Sequence, residues 1–407
     1  MAFFIFSASF CAFSAGKLVV SDPKDRTTTQ NTRLFVSGTA VYGRPLKVND
    51  VNVVVEPDGA FEAAALLRPG KNLVLVESGS NAAQKESYRA RILRIVTFDD
   101  IENYSAGKPH WSKRQVVNLA TLGIIEGYPD NTFLPEQAIT RGELATWLAR
   151  AKGLKVFAPK ADVFFDVPKE HWRAPYIKAV TDLGFMKEER KNKFGIDDTI
   201  TRSDAVETFV KAFGLRAVTG KRPPFDDVPE TAAYFPSIKA AYDNGMIIGY
   251  PGKKRMFGPQ INMKRSEASL LIASLPVIRP RLSDMYDFER GYTAQQLCRI
   301  GTRPIIKSAE VYPSTVASDG KSAIRITATI TDEQGQEDIS LVWADITAIM
   351  GPNDAKMSKN EKGVYELDVN VTSESTKGEK LITVKALDKT GLETDRSVKF
   401  NVIGAKQ

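Results

Sequence analysis

The chain is poor in the side chains that many function classes require. Its 407 residues hold two cysteines, Cys11 and Cys298, and two histidines, His110 and His171. So few soft ligands exclude a zinc-finger array, an iron–sulfur protein and a disulfide framework. No Gly-x-Ser-x-Gly, His-Glu-x-x-His or P-loop spacing occurs. After the first sixteen residues, no apolar run reaches the roughly 20 residues that a membrane-spanning helix needs. There is no long Lys/Arg block either. Lys and Arg total 56 against 49 Asp and Glu, a net charge of +7. This mild excess permits anionic partners without singling out nucleic acid, and no nucleic-acid partner is expected. With 43% hydrophobic and 26% charged residues, the composition excludes a polytopic membrane protein and a mainly disordered chain. The length suggests two to four domains.

Residues 1–16, MAFFIFSASFCAFSAG, carry no charge and end in small residues. They are too short to span a bilayer and fit the apolar region and cleavage end of an export signal, although the usual positive start is absent. The competing reading is a buried first strand. Cleavage after Ser14 or Ala15 would leave Cys298 as the one thiol. Cys11 follows Phe10, a poor context for a lipoprotein cysteine.

What is abundant is repetition. FDDI at 98–101, HW at 110–111, LGIIEGYPDNTFLP at 122–135 and ITRGEL at 139–144 form a first unit. FFDV at 164–167, HW at 171–172, LGFM at 183–186, KFGI at 193–196 and ITRSDA at 200–205 form a second. FDDV at 225–228, NGMIIGYPG at 244–252, MFGP at 256–259 and MKRSEA at 263–268 form a third. Gly123, Gly184 and Gly245 are 61 residues apart. This period is not the roughly 34 of tetratricopeptide arrays.

Each unit reads as helix, loop, helix. Gly123 is placed to end a first helix, and GYPDNTFLP is rich in turn residues. Thr140 stands three before Glu143, the spacing of a capping box. Leu144, Trp147, Leu148 and Ala151 then form one apolar helix face. Val206, Phe209, Val210 and Phe213 repeat it, as do Ala268, Leu271, Ile272 and Leu275. One helix pair cannot cover such a face alone, whereas three can pack theirs together.

These motifs resemble the S-layer homology module, with its F-x-D-V start, early Trp, G-I-I-x-G-Y-x-D-G-T-F-x-P loop and I-T-R-A-E helix start. The resemblance covers 98 to about 275. It implies a pseudo-threefold cluster of three modules that holds proteins non-covalently on wall polymers such as pyruvylated secondary polysaccharide or modified peptidoglycan. It also implies that the helix-start Arg and the early aromatic line ligand grooves between modules.

The residues support that chemistry in their own right. Arg141 and Arg202 follow the capping residues Thr140 and Thr201, where free amides already favour anions. A guanidinium adds a two-pronged donor for carboxylate or phosphate, and Trp111 and Trp172 could stack on a sugar ring. Gly127 and Tyr128 belong to the groove wall. The expected ligand-binding set is Arg141, Arg202, Arg265, Trp111, Trp172, Gly127, Tyr128, Thr140 and Thr201. The competing reading pairs each Arg with a nearby Asp, such as Asp99 or Asp166, and places each Trp in the core. The units also differ. The second has KEERKN at 187–192 in place of GYPDN. The third has Lys264 at the capping position and Ala233 at the Trp position. Unit one is expected to be the best site, with Arg141 beside Trp111.

The flanks are strand-rich. Candidates are 33–41, 46–55, 61–67, 72–77 and 88–95, with turns at Asp58-Gly59 and Pro69-Gly70. In the second flank Ile324, Ile326, Ala328 and Ile330 alternate with polar residues, as do Tyr365, Leu367, Val369 and Val371. Both flanks resemble bacterial immunoglobulin-like domains. Asp332, Glu333, Glu337 and Asp338 could bind calcium, but they lack EF-hand spacing, and the favoured reading is a solvated acidic loop; no metal or cofactor is expected.

The expected architecture is multidomain α+β: a signal at 1–16, an Ig-like β-sandwich at 17–96, repeats at 97–157, 158–219 and 220–276, a linker at 277–302 and an Ig-like β-sandwich at 303–407. The expected function is a non-catalytic envelope protein, at the cell surface or the periplasmic face in a two-membrane cell. Its partners would be wall polysaccharide or peptidoglycan, with other surface proteins or further copies of the chain. The alternative is a wall-associated glycoside hydrolase using a carboxylate pair, or another envelope enzyme that the modules target. The paired acids Asp99-Asp100 and Asp226-Asp227 instead read as structural, since they recur at each unit's start.

Overall fold

A computed structural model describes residues 17–79, 85–218, 223, 225–250 and 255–404. The expected export signal and Cys11 lie outside the described residues.

The first flank folds as two facing sheets. Its strands are β1 (Val19–Asp22), β2 (Thr27–Thr29), β3 (Arg33–Thr39), β4 (Leu46–Val48), β5 (Val51–Asn52), β6 (Ala60–Leu66), β7 (Gly70–Ser78) and β8 (Glu86–Arg94). The candidate at 46–55 is broken because Asn49 and Asp50 both take positive φ, 47° and 68°, between β4 and β5. One sheet runs β2-β8-β7-β4-β5. The other runs β1-β3-β6-β9, where β9 (Arg299–Gly301) comes from beyond the repeats. Ala64, Ala65 and Leu66 pair with Gly301, Ile300 and Arg299. Between the sheets lie Val36, Phe61, Ala63, Val74, Val76, Ala90, Ile92, Cys298 and Ile300. The stretch 277–302 is therefore not a free linker. It carries a helix and the strand that completes the first sandwich, because Cys298 and Ile300 supply apolar surface to that core. The Cys298 thiol is packed, with its pKa pushed up to about 11 by burial.

Among the described residues the repeats form seven helices, α1 (Asp99–Glu102), α2 (Lys113–Thr121), α3 (Arg141–Lys152), α4 (Ala174–Asp182), α5 (Arg202–Phe213), α6 (Phe235–Asp243) and α7 (Arg265–Ala273), and α8 (Arg279–Met285) follows them. Gly123, Gly184 and Gly245 each take φ 68°, a left-handed stop after the first helix of a unit that a residue with Cβ resists. The expected apolar faces meet in one core. Leu144, Trp147, Leu148, Val206, Phe209, Ala268 and Ile272 belong to a single cluster running from Phe98 to Ile278.

The second helix of each unit packs on the first helix of the next: α3 on α4, α5 on α6, and α7 back on α2. Main-chain bonds follow the same circuit. The Ile139 N–H donates to Met263 O at 2.8 Å, Met263 N–H to Ile200 O at 2.9 Å, and Ile200 N–H to Ile139 O at 3.4 Å.

The second flank is also two facing sheets. Its strands are β10 (Ile305–Tyr312), β11 (Thr315–Ser318), β12 (Ala323–Thr331), β13 (Ile339–Asp345), β14 (Ala355–Lys356), β15 (Ser358–Lys359), β16 (Tyr365–Asn370), β17 (Gly378–Asp388) and β18 (Glu393–Gly404). The orders are β10-β12-β16-β15 and β11-β18-β17-β13-β14. The alternation in β12 holds, with Ile324, Ile326, Ala328 and Ile330 all buried against Val342, Ala344, Ile382 and Val384. No described helix is long and apolar enough to cross a membrane.

Candidate functional site

The Asp that recurs at each unit start builds the loop rather than pairing with Arg. Asp100 accepts the Phe133 and Leu134 amides at 2.8 and 2.7 Å. Asp166 accepts those of Phe194, Gly195 and Ile196 at 2.8, 2.6 and 3.0 Å. Asp227 accepts those of Phe257 and Gly258 at 2.8 and 2.7 Å. Burial pushes the Asp166 carboxyl up, but its three amide donors outweigh that and hold its pKa below the usual value.

Each helix-start Arg instead reaches into the loop of the following unit. Arg265 Nε donates to Phe133 O at 2.7 Å and Nη2 to Glu126 O at 2.8 Å, while Nη1 pairs with Glu143 Oε1 at 2.5 Å. Its guanidinium sits 4.6 to 4.9 Å from the ring centres of Phe133, Trp147 and Tyr128. Arg202 repeats the plan. Nε donates to Phe257 O at 2.8 Å, Nη1 pairs with Glu267 at 2.7 Å, and the rings are Tyr250 and Phe257. In both joints the tyrosine hydroxyl donates to the same glutamate, Tyr128 to Glu143 at 3.0 Å and Tyr250 to Glu267 at 2.8 Å. Burial and that glutamate push the Tyr250 pKa up to about 12.

With exposures of 1% and 7%, Arg265 and Arg202 are core ion pairs. This corrects the expectation that they present open donors to a ligand. Their charge is already spent on a carboxylate, because the next unit's helix supplies a Glu at its third position.

Arg141 differs. Its Nε donates to Phe194 O at 2.8 Å and Nη2 to Lys187 O at 2.6 Å, over the Phe194 ring at 4.9 Å. Among the described residues no carboxylate lies within ion-pair distance of it. Unit two has Glu189 at the tyrosine position, since Glu189 N–H bonds across the loop to Lys193 O as Tyr128 N–H does to Thr132 O. At the glutamate position it has Asp204, one methylene shorter. Burial lowers the Arg141 pKa, and Glu189 and Asp204 oppose that only through space.

The same α3–α4 joint holds two arginines that sequence reasoning missed. The Arg173 guanidinium lies 4.2 Å from the Trp172 ring centre and Arg150 5.9 Å from it. Both pair with Glu126, Arg173 at 3.3 Å. The Nε of Arg173 is buried with no hydrogen-bond partner. The aligned units carry Ser112 and Tyr234 where unit two has Arg173, and Lys211 and Ser274 where unit one has Arg150. That difference was a usable signal.

Trp111 and Trp172 are 57% and 49% exposed, so neither is core. Trp111 does not stand with Arg141, a second correction. It precedes α2, which packs on α7, so ring closure places it at the Arg265 joint. Beside it the buried His110 bonds Ser112 Oγ at 2.7 Å and Glu136 at 2.9 Å. The Thr140 and Thr201 hydroxyls cap their helices, accepting from Glu143 N and Asp204 N at 3.2 Å. Glu143 completes the box on Thr140 N–H at 3.0 Å. Gly127 lets the loop lie against the Phe98 ring, where a Cβ would clash. Lys264 caps nothing and turns to Glu136.

Three segments of the chain, 98–145, 164–206 and 224–269, match the family model of the S-layer homology domain. The chain thus carries three segments that match the S-layer homology domain, all within its helical middle. Its relatives include "Cell surface glycoprotein 1" of Acetivibrio thermocellus, 29% identical over 47% of this chain and 8% of that protein. An "uncharacterized cell wall amidase" of Bacillus anthracis is 32% identical over 29% of this chain and 21% of that protein. "S-layer protein EA1" of the same organism is 29% identical over 40% of this chain and 19% of that protein. The matches thus span about a fifth or less of each relative's own length.

Proposed function

We propose that the three S-layer homology domains, at about 97–157, 158–219 and 220–276, form one pseudo-threefold cluster that anchors an exported protein non-covalently to a wall polymer. The circuit of helix contacts and main-chain bonds supports the cluster. The polymer is secondary wall polysaccharide or peptidoglycan, and the protein sits at the cell surface or the periplasmic face of the envelope. The sandwiches act as Ig-like spacers or contacts for other surface proteins, without catalysis.

The observation that carries the reading is the α3–α4 joint. It combines Arg141 without a carboxylate, an unpartnered Arg173 Nε and the exposed Trp172 face. Cation donors beside an aromatic face suit a polymer that offers both acid groups and sugar rings. The test is co-sedimentation of the purified protein with intact sacculi and with sacculi stripped of secondary polymer. Binding lost on stripping assigns the polysaccharide, and binding kept assigns peptidoglycan. No binding to either sinks the anchor. The name of the amidase relative favours a second reading, an envelope enzyme that the modules target; release of soluble fragments from the same sacculi would support it.

A further inference from the structure

Far from the repeats, three carboxylates converge at one end of the second sandwich. Asp332 follows β12, Asp338 precedes β13 and Asp388 ends β17. One oxygen from each lies within 4.8 Å of the others. Two ligands of one calcium ion, each about 2.3–2.6 Å from it, are separated by no more than about 5 Å, so the three oxygens fit one coordination sphere.

The cluster alone would carry nothing, since acidic loops are common. The second observation is unmet demand inside it. Asp338 is 4% exposed, and its Oδ2 is buried without any hydrogen-bond partner; the same holds for Asp332 Oδ2. A carboxylate oxygen shut off from water and left without a donor is unfavourable, and a neighbouring carboxylate makes it worse. The surroundings do not relieve it. Asp332 Oδ1 accepts the Gln334 amide at 2.8 Å, and Asp388 accepts the Leu392 amide at 2.7 Å and the Thr390 hydroxyl. These bonds fix the carboxylates in place but leave both Oδ2 atoms unmet. Among the described residues, the cation within ion-pair distance of the cluster is Arg299, whose Nη2 is 3.6 Å from Asp338 Oδ1 and whose side chain is largely in solvent. Three carboxylates against one mostly solvated guanidinium leave the cluster with an excess of negative charge.

We propose that Asp332, Asp338 and Asp388 bind a hard divalent cation of the calcium type. The donor set is all oxygen, which selects calcium-class ions over zinc or copper. The sequence brought Asp332 and Asp338 together but not Asp388, which lies 50 residues beyond Asp338. The role of the ion follows from what its ligands hold. Gln334 accepts from the Thr302 amide at 2.9 Å, just beyond β9. Lys389 N–H donates to Asp338 O at 2.7 Å, tying the two loops together. A bound ion therefore stiffens the seam between the two sandwiches.

The test uses the full chain, freed of metal with chelator and then dialysed against millimolar calcium chloride, with bound metal measured by elemental mass spectrometry. We expect about one calcium per chain and a rise of about 5–10 °C in the unfolding transition that calcium shifts. Asp338→Asn and Asp332→Asn should each lose at least about nine-tenths of the bound calcium. Asp332 is partly exposed, so its variant decides the matter if Asp338→Asn does not fold. Removal of charge should leave the metal-free Asp332→Asn protein at least as stable as metal-free wild type, which a purely structural role would not produce. No calcium bound by wild type, full binding by a folded variant, or equal displacement of calcium by equimolar magnesium would each overturn the assignment.

Discussion

The α5–α6 and α7–α2 joints are built alike, and the α3–α4 joint departs from them. In the first two, an arginine from one unit meets a Tyr–Glu pair from the next. In the third, Glu189 and Asp204 stand where Tyr and Glu would, and Arg141 keeps two carbonyls and a ring but no ion pair. The same backbone thus carries either a sealed ion pair or a desolvated cation with capacity to spare. Two side chains on the receiving unit decide which. The KEERKN loop of unit two, which carries Glu189, and Asp204 in α5 are what leave unit one's arginine without an ion pair.

The largest effect should come from breaking the tightest joint. Arg265→Ala removes a guanidinium between three rings and takes from Glu143, which is 4% exposed, its nearer cation, leaving Arg173 at 3.9 Å. Breaking one partner of such a pair typically costs about 3–5 kcal/mol, and urea unfolding followed by circular dichroism would read it. Arg265→Met with Glu143→Gln should recover much of the loss, because no charge is then left buried. A loss below about 1 kcal/mol for Arg265→Ala would mean that this pair does not seal the joint.

Arg202→Ala should rank second, at about 2–4 kcal/mol in the same measurement. Its partner Glu267 has a side chain 14% exposed against 5% for Glu143, so water can meet part of the freed charge. An equal or greater loss than at Arg265 would reverse the ranking of the two sealed joints.

These joints also mark where the sequence stopped being legible. The apolar faces, the left-handed glycines, the Thr140 capping box and the structural role of the paired acids all follow from local rules repeated three times. The partner of each arginine does not, because it comes from the next unit: Phe194 is 53 residues from Arg141, and Glu143 is 122 from Arg265. Packing of one unit against another, a tertiary event, sets both pairings. It also separates Trp111 from Arg141, which their shared unit had suggested were neighbours. Likewise, nothing local in RIG at 299–301 says that it completes a sheet begun before the repeats.

At the open joint the effect should move from stability to binding. Arg141→Ala should change unfolding free energy by about 1 kcal/mol or less, as two carbonyl bonds are lost but a desolvated charge is relieved. Its sacculus affinity should fall roughly ten- to a hundredfold, the worth of a charge-assisted contact of about 1.5–3 kcal/mol. Arg141→Lys should rescue it only in part. Sealing the joint should act in the same direction more weakly. Glu189→Tyr with Asp204→Glu rebuilds the pair seen at the other joints and should reduce affinity by about three- to tenfold while raising stability slightly. Unchanged binding in both variants would place the polymer elsewhere.

The smallest effect separates the two tryptophans. Both are about half exposed, and sequence position alone makes them equivalent. Their neighbours are not. Trp172 lies against Arg173 and Arg150 at the open joint, whereas Trp111 belongs to the joint that Arg265 and Glu143 close. A ring stacked on a sugar beside two guanidinium groups loses about 0.5–1.5 kcal/mol when truncated, so Trp172→Ala should weaken sacculus binding by about two- to tenfold. Trp111→Ala should stay within about twofold of wild type, since an exposed ring without a free donor beside it adds little. Side-by-side co-sedimentation isotherms of the two variants check the pair. A larger loss at Trp111 than at Trp172 would mean that the polymer lies in the α7–α2 joint, and that the sealed arginine there opens to receive it.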